Sequence, residues 1–158
     1  EVSHPVAPLP SLASVSWPVN VGQAARLAGL SPKMVRYYES LGLLGDIARS
    51  EGGYRLYGQS EVQALCFIRR SRAVGFDMEQ TASLLDLWRN PTRSSAQVKA
   101  LAQAQVERLE RRIADLQAMQ VTLETLVHAC HGDQRPECAI LDSLGSAQEP
   151  ACCEGGRM

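Results

Sequence analysis

The stretch from Ser95 to His128 constrains this chain more than any other. It contains neither Gly nor Pro, and its apolar residues recur in heptads. One seam is Ala102, Leu109, Leu116 and Leu123, and the other is Val106, Ile113, Gln120 and Val127. Charged residues (Glu107, Arg108, Glu110, Arg111, Arg112, Asp115) flank the stripe. A helix of this length spans roughly 50 Å at 1.5 Å per residue. A small domain cannot cover such a stripe, and no second segment of matching length exists to form an intramolecular bundle. The stripe is therefore expected to meet its own copy, with Gln120 as a polar break in the seam.

The remaining residues, out of 158, suffice for one small domain. No apolar run approaches the ~20 residues needed to span a bilayer. The net charge of −1 hides an asymmetry. Between Arg26 and Arg72 eight basic residues face four acidic ones, a net of +4, whereas beyond Arg72 eight basic face twelve acidic, a net of −4. A basic front on an acidic back suits a polyanionic partner for the front alone. The five cysteines are an odd number, and the pattern is largely helical without a secretory leader. That argues against a disulfide scaffold and for a reducing cytoplasm, where thiols bind metal or act in redox chemistry.

Residues 1–18 carry four prolines and no periodicity and read as a loose arm, with Trp17 packing on the adjoining domain. That domain is expected over 19–88. Its first helix runs from Val19 to Leu30 and stops at Gly29. Ser31 caps a second helix with Pro32 at its first position, ending at Gly42. Two short helices joined by a Gly-containing turn form a helix-turn-helix. The second carries Lys33, Arg36, Tyr37 and Tyr38 where a recognition helix meets the major groove. Arg36 suits base edges or phosphate; Lys33 and the Tyr hydroxyls suit phosphate. Arg49–Tyr57 then reads as a hairpin turning at Gly52-Gly53, presenting Arg49, Arg55 and Tyr57 together. The combination is a winged helix-turn-helix. Two more helices come next, Ser60 to Val74 and Asp77 to Leu87. The first ends in Arg69-Arg70-Ser71-Arg72, where Arg72 is placed to touch phosphate beyond the wing, and holds Cys66 as a small buried hydrophobe.

Beyond the long helix (95–128) lies a thiol loop with a short apolar helix (129–145) and a Cys-containing tail (146–158). Cys130 and Cys138 are separated by seven residues that include Gly132 and Pro136, so the loop can fold back on itself. Two thiolates and little else suit a soft monovalent ion, copper(I), silver(I) or gold(I), which accepts two collinear sulfurs. Zinc wants four ligands, and His128 and His131 stand near enough in sequence to supply the rest. A free thiol pair or a disulfide clip also fits the spacing. No Ser/His/Asp set, phosphate loop or paired-carboxylate pocket points to an enzyme.

Taken together, Val19-Asn20-Val21-Gly22-Gln23-Ala24-Ala25, Val35-Arg36-Tyr37-Tyr38-Glu39 with Gly42-Leu43, Arg49–Arg55, Val74-Gly75-Phe76, and His128-Ala129-Cys130 with Cys138 resemble the MerR family of transcriptional regulators. Within it they resemble the copper(I)-responsive CueR group. The likeness covers about residues 19–145. It implies a mainly α fold: a winged helix-turn-helix, an antiparallel coiled coil between two copies, and a C-terminal metal-binding loop. It implies a homodimer on promoter DNA that distorts the DNA when metal binds, acting on RNA polymerase through the DNA. By resemblance Arg36, Tyr37, Arg49, Arg55 and Tyr57 contact DNA, and Cys130 and Cys138 hold the metal. Ser95 matches the position that is Ser in monovalent-ion sensors and Cys in divalent-ion sensors, which favours Cu(I). His131 departs from the copper pattern and keeps a divalent sensor built on Cys130, Cys138 and His131 open; a thiol redox switch built on Cys130 and Cys138 is the other alternative.

Overall fold

A computed structural model describes residues 12–130, 132 and 138–146. The chain divides into two units, residues 1–105 and 106–158.

In the first unit the caps decide where helices begin. Asn20 Oδ1 accepts from the Gln23 amide at 2.9 Å while Gln23 Oε1 accepts from the Asn20 amide at 3.2 Å, a reciprocal box that opens α1 (Val21–Ala28). Gly29, at φ 66°, ends it in a conformation that other residues adopt at a cost. Ser31 Oγ accepts from the Met34 amide at 3.2 Å and Pro32 fills the first position of α2 (Pro32–Ser40). The face of α1 turned inward is Ala24, Ala25 and Ala28, all at most 1% exposed. Side chains this small bring the neighbouring α2 and α3 close, and α2 answers with Val35 and Tyr38.

Strands β1 (Ala48–Arg49) and β2 (Arg55–Leu56) pair antiparallel, Ala48 opposite Leu56 and Arg49 opposite Arg55. The turn closes through Gly53, at φ 79°, whose amide donates to Ser50 O at 2.9 Å. Val19 and Tyr57 exchange backbone hydrogen bonds at 2.8 Å in both directions. That bridge ties the approach to α1 onto the wing. Helices α3 (Gln59–Ala73) and α4 (Met78–Arg89) then pack on each other, α4 opening with an Asp77–Gln80 capping box. The core between these elements is Val35, Tyr57, Val62, Leu65, Ile68 and Leu85. Cys66 lies in it as a small hydrophobe, 3% exposed, with burial pushing its thiol above the ordinary range.

The arm requires a correction. Leu12–Ser14 forms a short 3-10 turn, and Leu12, Val15 and Trp17 pack on the core, so the domain starts before residue 19. Trp17 packs on the domain as expected, whereas the four prolines of residues 1–18 obscured Leu12 and Val15. The expectation of a loose arm at residues 1–11 falls outside the described residues, as does that of a flexible tail over 147–158.

The long helix is α5 (Ser95–Ala129), one residue beyond the expected end. Its one buried residue is Gln105, at 4% exposure, whose Nε2 donates to Val74 O at 3.0 Å and would clash with any Cβ at Gly75. In the second unit the seam residues Val106, Leu109, Ile113, Leu116, Leu123 and Val127 are between 42% and 58% exposed. Leu116, Met119, Leu123 and Val127 line an open apolar groove. The short helix α6 (Ala139–Gly145) comes after the thiol loop. Among the described residues no helix is long and apolar enough to cross a membrane.

Candidate nucleic-acid interface and thiol site

Helix α2 has two faces. Val35 and Tyr38 go inward, which leaves Lys33, Arg36 and Tyr37 exposed on the other side. The Tyr37 ring leans on buried Tyr38, centroids 5.7 Å apart, which steadies it at the surface. The wing stands beside this face and is held there by one carboxylate. Arg55 Nε donates to Glu39 Oε1 at 2.8 Å, and Tyr57 Oη donates to Glu39 Oε2 at 2.9 Å. Glu39 is in the last turn of α2, so the triad locks recognition helix and wing into one surface. Burial pushes the Glu39 carboxyl up, but the hydrogen bonds from Arg55 and Tyr57 and the charges of Arg55 and Arg49 outweigh it, and the group rests below the usual carboxylate range. The Tyr57 hydroxyl is pushed up to about 12, by burial first and by the Glu39 carboxylate second.

This geometry corrects one expectation. Tyr57, expected as a DNA contact, is fully buried, and its hydroxyl is spent on Glu39. Arg55 spends Nε on Glu39, but its side chain remains 38% exposed, with both terminal nitrogens left for an outside partner. Arg49 Nη1 donates to Gly53 O at 3.0 Å and braces the wing turn. Arg72 Nη1 donates to Phe76 O at 2.7 Å and closes the turn after α3, with the rest of the side chain exposed.

The site also contains residues that sequence reasoning passed over. Asn20, Val21, Arg36, Gly53, Tyr54 and Arg55 line a hollow of about 150 Å³. Two guanidinium groups and the N-terminus of α1 surround it, and all three favour an anion. Tyr54 stands at the wing tip, 75% exposed. Its neighbours Gly53 and Arg55 in the turn were the signal available for it. Glu39 had a signal too, as a lone acid within a basic helix, but only folding reveals its partners.

In the second unit, Cys130 directly succeeds α5, its amide donating to Leu126 O at 3.1 Å. Cys138 caps α6, its carbonyl accepting from the Asp142 amide at 2.9 Å. Both thiols are free and half-buried. The Cys138 thiol is drawn below its ordinary range, first by the Leu141 amide, then by that of Ile140, and also by the Cys130 thiol. The fold thus brings the two sulfurs together and biases one toward thiolate. No group of three or more His, Cys, Asp and Glu gathers among the described residues. His128, on the last turn of α5, forms no such group; His131, Cys152 and Cys153 lie outside the described residues. Ser95 is the first residue of α5, exposed, in the other unit.

Residues 20–57 match the family described as MerR family regulatory protein, and residues 62–126 match MerR, DNA binding. The chain is 47% identical over 132 residues to heavy metal-dependent transcription regulator 2 of Rhizobium meliloti, covering 82% of this chain and 90% of that one. It is 38% identical over 135 residues to the HTH-type transcriptional regulator CueR of Escherichia coli O157:H7, covering 85% and 96%. Among solved structures it resembles the transcription regulator PbrR691 of Ralstonia metallidurans CH34 in complex with lead(II), with a TM-score of 0.70 and 36% identity over 80% of this chain and 98% of that one.

Proposed function

This chain belongs to the MerR family of DNA-binding transcriptional regulators, which are not enzymes, and on that premise we propose that it is a cytoplasmic copper(I) sensor acting on promoter DNA as a homodimer. It falls with metal-responsive relatives. The observation that carries the finer reading is the pair Cys130 and Cys138: two free thiols in contact, one drawn below its ordinary range. That donor set fits a soft monovalent ion, copper(I) or equally silver(I) or gold(I), which completes its shell with two sulfurs. Ser95 supplies no further sulfur.

On the DNA side, Arg36 and Arg55 hold a phosphate in the hollow beside the N-terminus of α1, with Lys33, Tyr37, Arg49 and Arg72 on the flanking backbone. The exposed α5 seam pairs antiparallel with the same seam of a second copy. Joining Cys130 to Cys138 ties the end of α5 to α6. Regulation requires that metal favour the DNA-distorting state by a differential of ~1–3 kcal/mol. That differential acts against a distortion cost of order 1–6 kcal/mol, and RNA polymerase responds to the realigned promoter.

A second reading is a divalent sensor, favoured by the lead(II) complex of the 36%-identical structure, with His131 as an added ligand. Competitive titration of the reduced protein with Cu(I), Ag(I), Au(I), Zn(II), Pb(II) and Hg(II) separates the two. Tight Cu(I) binding that is lost in Cys130→Ser and Cys138→Ser supports the first. Preferential Zn(II) or Pb(II) binding that needs His131 supports the second. A response to oxidant with no metal affinity leaves a redox switch.

A further inference from the structure

The one buried residue of α5 is polar. Gln105 is 4% exposed, its Nε2 donates to Val74 O at 3.0 Å, and its Oε1 has no hydrogen-bond partner among the described residues. An unpaired buried acceptor offsets what a neutral hydrogen bond contributes. Stability alone therefore gives no preference here for an amide over an apolar side chain of the same length. What the amide does supply is direction, because it holds one particular carbonyl.

That carbonyl belongs to the turn between α3 and α4, in the same unit as Gln105. Gly75 forms the turn at φ 91°, and a Cβ there would lie 2.6 Å from Gln105 Nε2, so the amide reaches Val74 O only past a glycine. On the other side of Gly75, Phe76 O accepts from Arg72 Nη1 at 2.7 Å. The Gly75 amide in turn donates to Arg72 O at 3.0 Å. The two anchored carbonyls are separated by Gly75 alone, one held from α5 and the other by the Arg72 side chain. Fixing Val74 O thus fixes Phe76 O, and Phe76 O fixes the guanidinium. The charge of Arg72 is felt at Tyr38 of α2, where it opposes the upward push of burial on the hydroxyl. Arg72 accordingly lies near the recognition helix, exposed, with its other donors open to an outside partner.

We infer that Gln105 is a positioning residue for DNA binding, anchoring the α3–α4 turn so that Arg72 is presented to phosphate alongside α2. This rests on the reading of Arg72 as a phosphate contact and adds the residue that sets it.

The test titrates the full-length, reduced protein onto a mixed-sequence DNA duplex across a potassium chloride series, since phosphate contacts do not depend on sequence. Gln105→Met keeps the length of the side chain and removes the donor. It should lower the salt slope by about one and the affinity at low salt on the order of threefold, as Arg72→Ala does, with the thermal unfolding midpoint unchanged. In the Arg72→Ala background it should lower the slope no further. A merely destabilised head loses affinity by one constant factor at every salt concentration and keeps its slope. A parent slope in Gln105→Met, with the slope of Arg72→Ala lowered, would overturn the inference. So would a further drop in the double variant, since Gln105 would then act without Arg72. An unchanged slope in Arg72→Ala would instead remove the phosphate contact itself, and the inference with it.

Discussion

The two units of this protein reach stability by different routes. The head encloses its apolar residues: Tyr57, Leu65, Ile68 and Leu85 are at most 1% exposed. The second unit leaves six seam residues of α5 roughly half open. The head is a folded object by itself; the seam of the helix lies open, and we propose that a second copy covers it. A continuous apolar stripe on one side of a helix is a statement about a partner, whereas the same residues scattered through several short capped elements are a statement about a core.

The largest effect that would break the comparison comes from placing charge on the seam. Leu116→Asp with Leu123→Asp should abolish self-association in sedimentation while the thermal unfolding of the head is unchanged. If the head unfolds with it, the two units are not independent. Next, Leu65→Ala should destabilise the head by about 2–5 kcal/mol in denaturant unfolding. A cost as small as that of an exposed site would mean the core lies elsewhere.

The interface gives smaller effects. Arg36→Ala should weaken operator binding and reduce the salt slope by about one, read from affinities across a salt series. Arg55→Ala should do the same and also loosen the wing. An unchanged slope removes that residue from the phosphate contacts. Glu39→Gln should cost about 1 kcal/mol, since the Arg55 side of the bridge is partly exposed and screened. Its carboxyl is depressed in the fold, so its contribution is present above the unfolded carboxylate pKa and is lost as pH falls through the lower folded value. Acid unfolding of Glu39→Gln should therefore be shallower than that of the parent over that interval, and an identical profile would mean the bridge carries no stability. The smallest effect is Tyr57→Phe, which removes one hydrogen bond to Glu39 and should leave operator contacts in place, lowering stability by about 1 kcal/mol.

These residues show how far the sequence could be read. Ser31-Pro32, Gly29 and the Asp77 box are local signals, and α2 and α4 begin where those caps demand. The heptads of α5 are equally local and were legible to within a residue. What escaped reading depended on distant partners. Arg55 and Tyr57 alternate on a strand and so share a face, which made both look like DNA contacts. Glu39, sixteen residues before Arg55, and Val19, bonded to the Tyr57 backbone, turn that face inward at Tyr57. Trp17 was legible as a residue that packs on the domain, whereas nothing local distinguishes Leu12 and Val15 from a loose arm, because their value is set by the core they cover. At the thiol site the pair Cys130 and Cys138 was legible from spacing, whereas the amides of Leu141 and Ile140 that bias Cys138 required the fold.

The central claim is that two sulfurs of one chain are a complete site for a soft singly charged ion. X-ray absorption at the copper edge of the Cu(I)-loaded, reduced protein tests it most directly. Two sulfur neighbours and no nitrogen, both lost in Cys130→Ser with Cys138→Ser, is the predicted result. A third ligand, whether an imidazole nitrogen or a further sulfur, would contradict it.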